Sequence, residues 1–168
     1  MIADILRNVN LFVDGRGYAG KVEEMTLPKL APTLQEYKAG GMSAPVDVPM
    51  GSHEKLEAEL TLKAFDPEVL KLFNVNPGSD VPFTARGALQ DDNGAIRGVV
   101  VTMRGLIKEY DMGTWKAAEE VQLKLGLSLR YYKLEYDGAT LIEADPIGMT
   151  LVVNGVDQLA KTREALGL

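Results

Sequence analysis

The chain has 168 residues, 46% of them hydrophobic, and a net charge of −6. That length suits one domain, residues 1–168, able to bury a sizeable core. The pI of about 4.9 argues against a protein built to grip nucleic acid or to adhere to an anionic membrane surface. The absence of cysteine excludes disulfides and cysteine-ligated metals. No stretch approaches the ~20 apolar residues of a membrane span. The first fifteen residues lack an apolar core of signal-peptide length. The expectation is a protein with no membrane anchor, made and used without secretory export.

Asn10 to Val13 reads as a short strand entering a turn at Asp14-Gly15, a strong hairpin signal between apolar runs. Gly15 to Gly20 also matches GxGxxG, but Lys21 to Leu27 runs into Pro28 too soon for the helix that a dinucleotide site requires. Val22 to Leu30 reads as a broken extended segment at an edge or corner, because of Pro28. Thr33 to Lys38 alternates. Ala39 to Gly51 is the least regular part of the chain, yet Met42, Val46, Val48 and Met50 make it too apolar for a linker. Such a loop either docks on a partner or folds over its own core.

Lys55 to Lys63 alternates cleanly. Leu56, Ala58, Leu60 and Leu62 face one way, and Lys55, Glu57, Glu59, Thr61 and Lys63 the other. Asp66-Pro67-Glu68 starts a helix with an N-cap acid and a first-turn proline. Val69, Leu70, Leu72 and Phe73 form its buried stripe, and Asn76-Pro77-Gly78 ends it. Val81 to Gln90 and Ile96 to Glu109 are strands joined by the turn Asp91-Asp92-Asn93-Gly94.

Glu120 to Tyr136 is the organising strand, with Val121, Leu123, Leu125, Leu127, Leu129 and Tyr131 in one unbroken apolar row. After Tyr131 the parity slips, which predicts a bulge. So long a one-sided strand needs partners of matching length, which the rest of the chain supplies. Yet it is too long for a small domain to pair fully by itself and is expected to need partners beyond its own chain as well. Asp137-Gly138 makes a second hairpin, returning through Ala139 to Ala144. After a short strand from Gly148 to Val153, Asn154 and Asp157 read as the partial capping box of a terminal helix, with Val156, Leu159, Ala160 and Leu166 on its apolar face. The fold class is mainly β (α+β): an antiparallel barrel or sandwich with a flanking helix and a C-terminal helix.

Nothing here assembles into catalysis. His53 is the only histidine and sits in a turn; a metal site normally needs three or four ligands. No acid pair stands out for acid–base work, there is no GxSxG elbow, and the basic residues are dispersed. Trp115 beside Gly113 fits either an aromatic anchor or core packing at a strand corner. The expectation is no enzyme, no cofactor and no metal, but a structural or binding role.

The motifs taken together resemble the major tail tube proteins of contractile-tailed bacteriophages and R-type pyocins. The signals are Asn10-Leu11-Phe12-Val13-Asp14-Gly15, Leu27-Pro28-Lys29-Leu30, Tyr37-Lys38-Ala39-Gly40-Gly41-Met42 with Ala44-Pro45-Val46, and Met50-Gly51. They continue in Arg104-Gly105-Leu106 with Lys108, Trp115-Lys116 with Glu119, and Tyr131-Tyr132-Lys133-Leu134 with Asp137-Gly138. Asn154-Gly155-Val156-Asp157 and Ala165-Leu166-Gly167-Leu168 complete them. Ser52-His53, and Ala144 between Glu143 and Asp145, depart from the family pattern.

The resemblance implies a tube subunit, related in fold to type VI secretion tube proteins, that forms hexameric rings stacked inside a contractile sheath. It implies sheath, baseplate and tape-measure partners. It also implies a location in a phage virion or DNA-free tailocin, assembled in the bacterial host cytoplasm. DNA would pass through the lumen without specific binding. On this reading Lys55, Glu57, Glu59 and Lys63 face the lumen, and the loop carrying Gly40, Gly41, Met42, Pro45, Val46 and Met50 controls ring stacking. A type VI-like tube protein, or a soluble β-barrel module for a small ligand, are the alternatives.

Overall fold

The computed structural model describes residues 2–168. Twelve strands and two short helices follow one another as β1 (Ile5–Val13), β2 (Arg16–Gly17), β3 (Val22–Thr26), β4 (Pro32–Tyr37), β5 (Val46–His53), β6 (Glu57–Leu62), α1 (Pro67–Leu70), β7 (Val81–Gln90), β8 (Ile96–Asp111), β9 (Leu123–Tyr136), β10 (Ala139–Asp145), β11 (Thr150–Val153), β12 (Val156–Asp157) and α2 (Ala160–Leu166). Ten strands form one antiparallel network, ordered β12-β11-β10-β9-β8-β7-β1-β2, with β6 joining β9 and β3 joining β6. β4 and β5 pair only with each other.

The long strand β9 is where the network forks. One edge pairs with β8 throughout. The other edge pairs with β6 from Leu123 to Ser128 and with β10 from Tyr132 to Tyr136. The expectation that this strand needs partners beyond its own chain is therefore corrected: its ladder is filled from within. The strand also begins at Leu123, leaving Val121 outside it and partly exposed.

The parity slip lies one residue earlier than expected. Leu129 pairs with Gly105 and Tyr131 with Arg104, so Arg130 is the extra residue of a bulge. Tyr131 leaves the buried row, and Tyr132 takes its place in the core. Gly105 makes the bulge possible: a Cβ there would lie 2.2 Å from the Ser128 carbonyl oxygen and 2.7 Å from the Leu129 Cα.

The fork creates two layers that share β8 and β9. One layer is β3-β6-β9-β8, built on the first half of β9; the other runs β1-β7-β8-β9-β10-β11. Their facing side chains form one core, with Leu60, Leu125, Leu127 and Ile107 from the first layer and Leu11, Phe83, Val101 and Met103 from the second. Ala144, one of the two departures from the family pattern, is fully buried in it.

Turn chemistry explains the hairpins. Asp14-Gly15 and Asp137-Gly138 have positive φ at both positions, the type I′ geometry that matches strand twist. Asn154-Gly155 does the same and joins β11 to β12, so Asn154 is a turn residue and not a helix cap. The terminal helix starts later, at Ala160, and no residue of it is buried. Arg163 ties it down through Asp157 at 2.6 Å and the Met149 carbonyl at 2.7 Å. The first helix starts as expected, with Asp66 accepting from the Glu68 amide, but it ends at Lys71, well short of Asn76. Only Val69 of its expected stripe is fully buried; Leu70 and Leu72 are partly covered, and Phe73 is about half exposed.

Candidate functional site

The polar face of the first layer gathers most of the side chains of interest. Residues directly opposite in a ladder share a face. Thr26 lies opposite Glu59, Glu59 opposite Gly126, and Gly126 opposite Glu109. The next row is Glu24, Thr61, Lys124 and Asp111, and the row on the other side joins Glu57 to Ser128 and Leu106. The face is thus acidic, with lysines interspersed. Glu57 and Glu59 are exposed on it, whereas Thr61 is covered. Lys55 sits just before β6 and bonds Glu57 at 2.8 Å. Lys63 sits just past the end of β6 and pairs with Glu120 at 3.4 Å. The four residues singled out in sequence therefore flank one strand, but only Lys55 and Glu57 interact.

Glu57 is the electrostatic centre of the face. Lys108 from β8 donates to it at 2.8 Å, across Gly126, which has no side chain in the way. The hydrogen bonds from Lys108 and Lys55 hold its carboxyl well below the ordinary 4.5, at about 2. A depressed carboxylate contributes its stabilisation fully above pH ~4.5 and loses it as pH falls toward ~2. Followed by NMR, the Glu57 carboxyl carbon is expected to titrate near pH 2, and Lys108→Met should move the midpoint back toward 4.5. A wild-type midpoint near 4.5 would show that the double clamp does not form in solution.

The Ala39–Gly51 segment is not a loop over its own core. Ala39 to Pro45 is the tip of the β4–β5 hairpin, and Val46 to Gly51 belong to β5. Almost every residue of this arm is exposed on both faces, including Leu34, Tyr37, Val46, Val48 and Met50. One face carries Tyr37, Val46 and Val48; the other carries Glu36 directly opposite Asp47. Gly40, Gly41, Met42 and Pro45 lie at the tip, where Gly41 takes a positive φ and the Met42 sulfur accepts from the Ala39 amide. His53 ends the arm, its ring Nδ1 2.9 Å from the Glu54 carbonyl oxygen.

Two open strand edges flank the polar face. β3 pairs only with β6, so its far edge is free. β7 reaches no further along β8 than Gly105, so Leu106 to Asp111 are unpaired on that side. Beside this second edge stand Phe73, packed at a tilt against Tyr110 with ring centroids 5.3 Å apart, and Val75, 82% exposed. The Tyr110 hydroxyl donates to the Val69 carbonyl, and burial pushes its pKa up to about 12. Periodicity shows which residues share a face, but an open edge depends on where a partner strand stops, so no local signal could have found these edges.

Trp115 is not core: it is 71% exposed and meets the edge of Phe65 at 5.9 Å. Among the described residues no cluster of three or more His, Cys, Asp or Glu could hold a metal ion. Among the same residues no helix is long and apolar enough to cross a membrane.

A two-layered β subunit with a polar sheet face, an open edge on either side of it and an uncovered arm presents the surfaces of a structural assembly protein. Comparison with known proteins agrees. The family model of phage tail tube protein FII matches residues 3–167, and the chain belongs to that family: it is a structural tube subunit. It is 38% identical over 167 residues to the tail tube protein of Escherichia phage P2, covering 97% of this chain and 96% of the relative. It is 30% identical over 141 residues to the major tail tube protein of Serratia phage KSP20, covering 83% and 81%. Its fold is similar to that of a sheath/tube terminator from an extracellular contractile injection system, with a TM-score of 0.58 and 11% identity over 80% of this chain and 98% of that one.

Proposed function

We propose that the chain builds the inner tube of a contractile phage tail or DNA-free tailocin, as stacked hexameric rings that act as a conduit for DNA or other cargo. The observation that carries this reading is the layer β3-β6-β9-β8, polar on one face and open at both edges. Strand direction alternates across it, because every internal pairing is antiparallel. Joining the free edge of β3 to the Leu106–Asp111 edge of the next copy keeps that alternation. Six copies so joined close into a barrel with no edge left.

The polar face then lines the lumen. Glu57 and Glu59 repel phosphate, with Lys55 and Lys63 moderating the charge, so DNA slides without adhesion. The β4–β5 arm reaches an adjacent ring and sets stacking. Sheath, baseplate and tape-measure proteins are the further partners, in a particle assembled in the host cytoplasm. Because the chain has no cysteine, single-cysteine labelling tests the lumen directly. In closed tubes Glu59→Cys is expected to react with a small maleimide but resist a polymer-linked one. Leu60→Cys should resist both, since Leu60 is fully buried. Ready reaction of Glu59→Cys with the bulky reagent would place this face outside.

A further inference from the structure

An open groove of about 660 Å³ lies between the two layers where β3 approaches β1. Its apolar wall is made by Leu6, Val9, Val22, Met25, Leu27 and Leu89. Leu6 is 54% exposed and Leu27 41%. Gly87 makes room here, since a Cβ on it would meet Leu6 Cδ1 at 3.0 Å. None of the described residues fills the space.

We propose that this groove receives the Phe73–Val75 loop of the neighbouring copy in the ring; the inference rests on the tube reading. The ladder register supplies the argument. Met25 lies opposite Leu60, Leu60 opposite Leu125, and Leu125 opposite Tyr110. Phe73 packs on that same Tyr110. One row across the layer therefore begins at the groove wall and ends at the loop. When the β8 edge of one copy meets the β3 edge of the next at matched height, Phe73 arrives beside Met25, a favourable sulfur–aromatic pairing. Val75, which lies near Leu106 to Lys108, arrives about level with Leu27.

The groove is suited to side chains and not to an added strand on β1. The side-chain oxygens of Asn8 and Asn10 already accept the Val9 and Leu11 amides, at 2.9 and 2.8 Å. Arg7 is the extra residue of a bulge in the β1–β7 ladder, which bends β1 beside the groove. These features blunt the edge against pairing while leaving the apolar wall open. The rival occupant is the arm of another copy, whose Val46 is 50% exposed.

Mixed assembly of single-cysteine chains separates the two. Leu27→Cys chains are co-assembled with Val75→Cys chains, or with Val46→Cys chains, and oxidised. The expected result is a covalent heterodimer with Val75→Cys and none with Val46→Cys. The reverse pattern, or rings without either cross-link, overturns the assignment. Val75→Asp, on a residue exposed in the free subunit, should keep the wild-type melting temperature but abolish rings in negative-stain images; rings of normal yield overturn the inference. In both overturning cases rings are present and the tube reading stands. A wild-type chain that stays monomeric at high concentration defeats the tube reading and the groove assignment together.

Discussion

Gly105→Ala is expected to unlock the two layers from each other. The new methyl would sit 2.2 Å from the Ser128 carbonyl oxygen and 2.7 Å from the Leu129 Cα. Both are backbone atoms of the neighbouring strand, so no rotamer change can relieve the contact. Either β8 and β9 separate at the bulge or the register slips. A slip of one residue would turn Leu123, Leu125 and Leu127 out of the core. Forcing atoms into packed structure costs about 1–3 kcal/mol, and the upper end applies where backbone must move. For a chain of this size that is roughly 10 °C in melting temperature. Thermal denaturation followed by circular dichroism measures it. A variant that melts with the wild type would mean that the close approach at Gly105 is absent in solution.

Leu127→Pro should have a larger effect and leave no cooperatively folded protein. Leu127 is fully buried and lies opposite both Ala58 of β6 and Ile107 of β8. Proline removes the backbone donor in a strand paired on both edges, where it is not tolerated. It also removes a leucine side chain from the centre of the core. Leu127→Ala isolates the second effect, at about 2–5 kcal/mol, and should fold with a lowered melting temperature. The comparison shows whether the ladder or the side chain dominates. A sharp thermal transition for Leu127→Pro near that of the wild type would mean that β9 is not paired on both sides.

Local chemistry was legible where it acts alone. The Asp-Gly hairpins follow from the positive φ that both turn residues must adopt, and the buried faces of β6 and of β9 up to Leu129 follow from strict alternation. Asn154-Gly155 carried the same turn signal, but Asp157 three residues on imitates a capping box. The turn won, because the two strands flanking it could pair. Asp157 does accept from the Leu159 amide, so that residue organises the entry to the helix without capping it. The parity change at Arg130 was visible only approximately, since Tyr131 and Tyr132 are equally able to be buried; the close approach at Gly105 decides between them.

What stayed hidden is non-local. The fork in β9 depends on where β6 stops and β10 begins, and β10 lies later in the chain. The arm looked like an irregular loop because proline, glycine and exposed valines obscure its alternation. Alternation predicted that Glu57 and Glu59 share a face, and they do, but the clamp from Lys108 joins residues 51 apart in sequence.

The fork also has a mechanical meaning. A subunit whose layers touched only through side chains would shear between them when thrust from one end. Here the two strands β8 and β9 run through both layers, so a push along the strands of one layer is carried into the other along continuous hydrogen-bond ladders. Loaded lengthwise, such a ladder resists with many bonds at once and does not peel one bond at a time. The subunit is thus built as a strut, stiff along its strands, with the β4–β5 arm standing outside the truss.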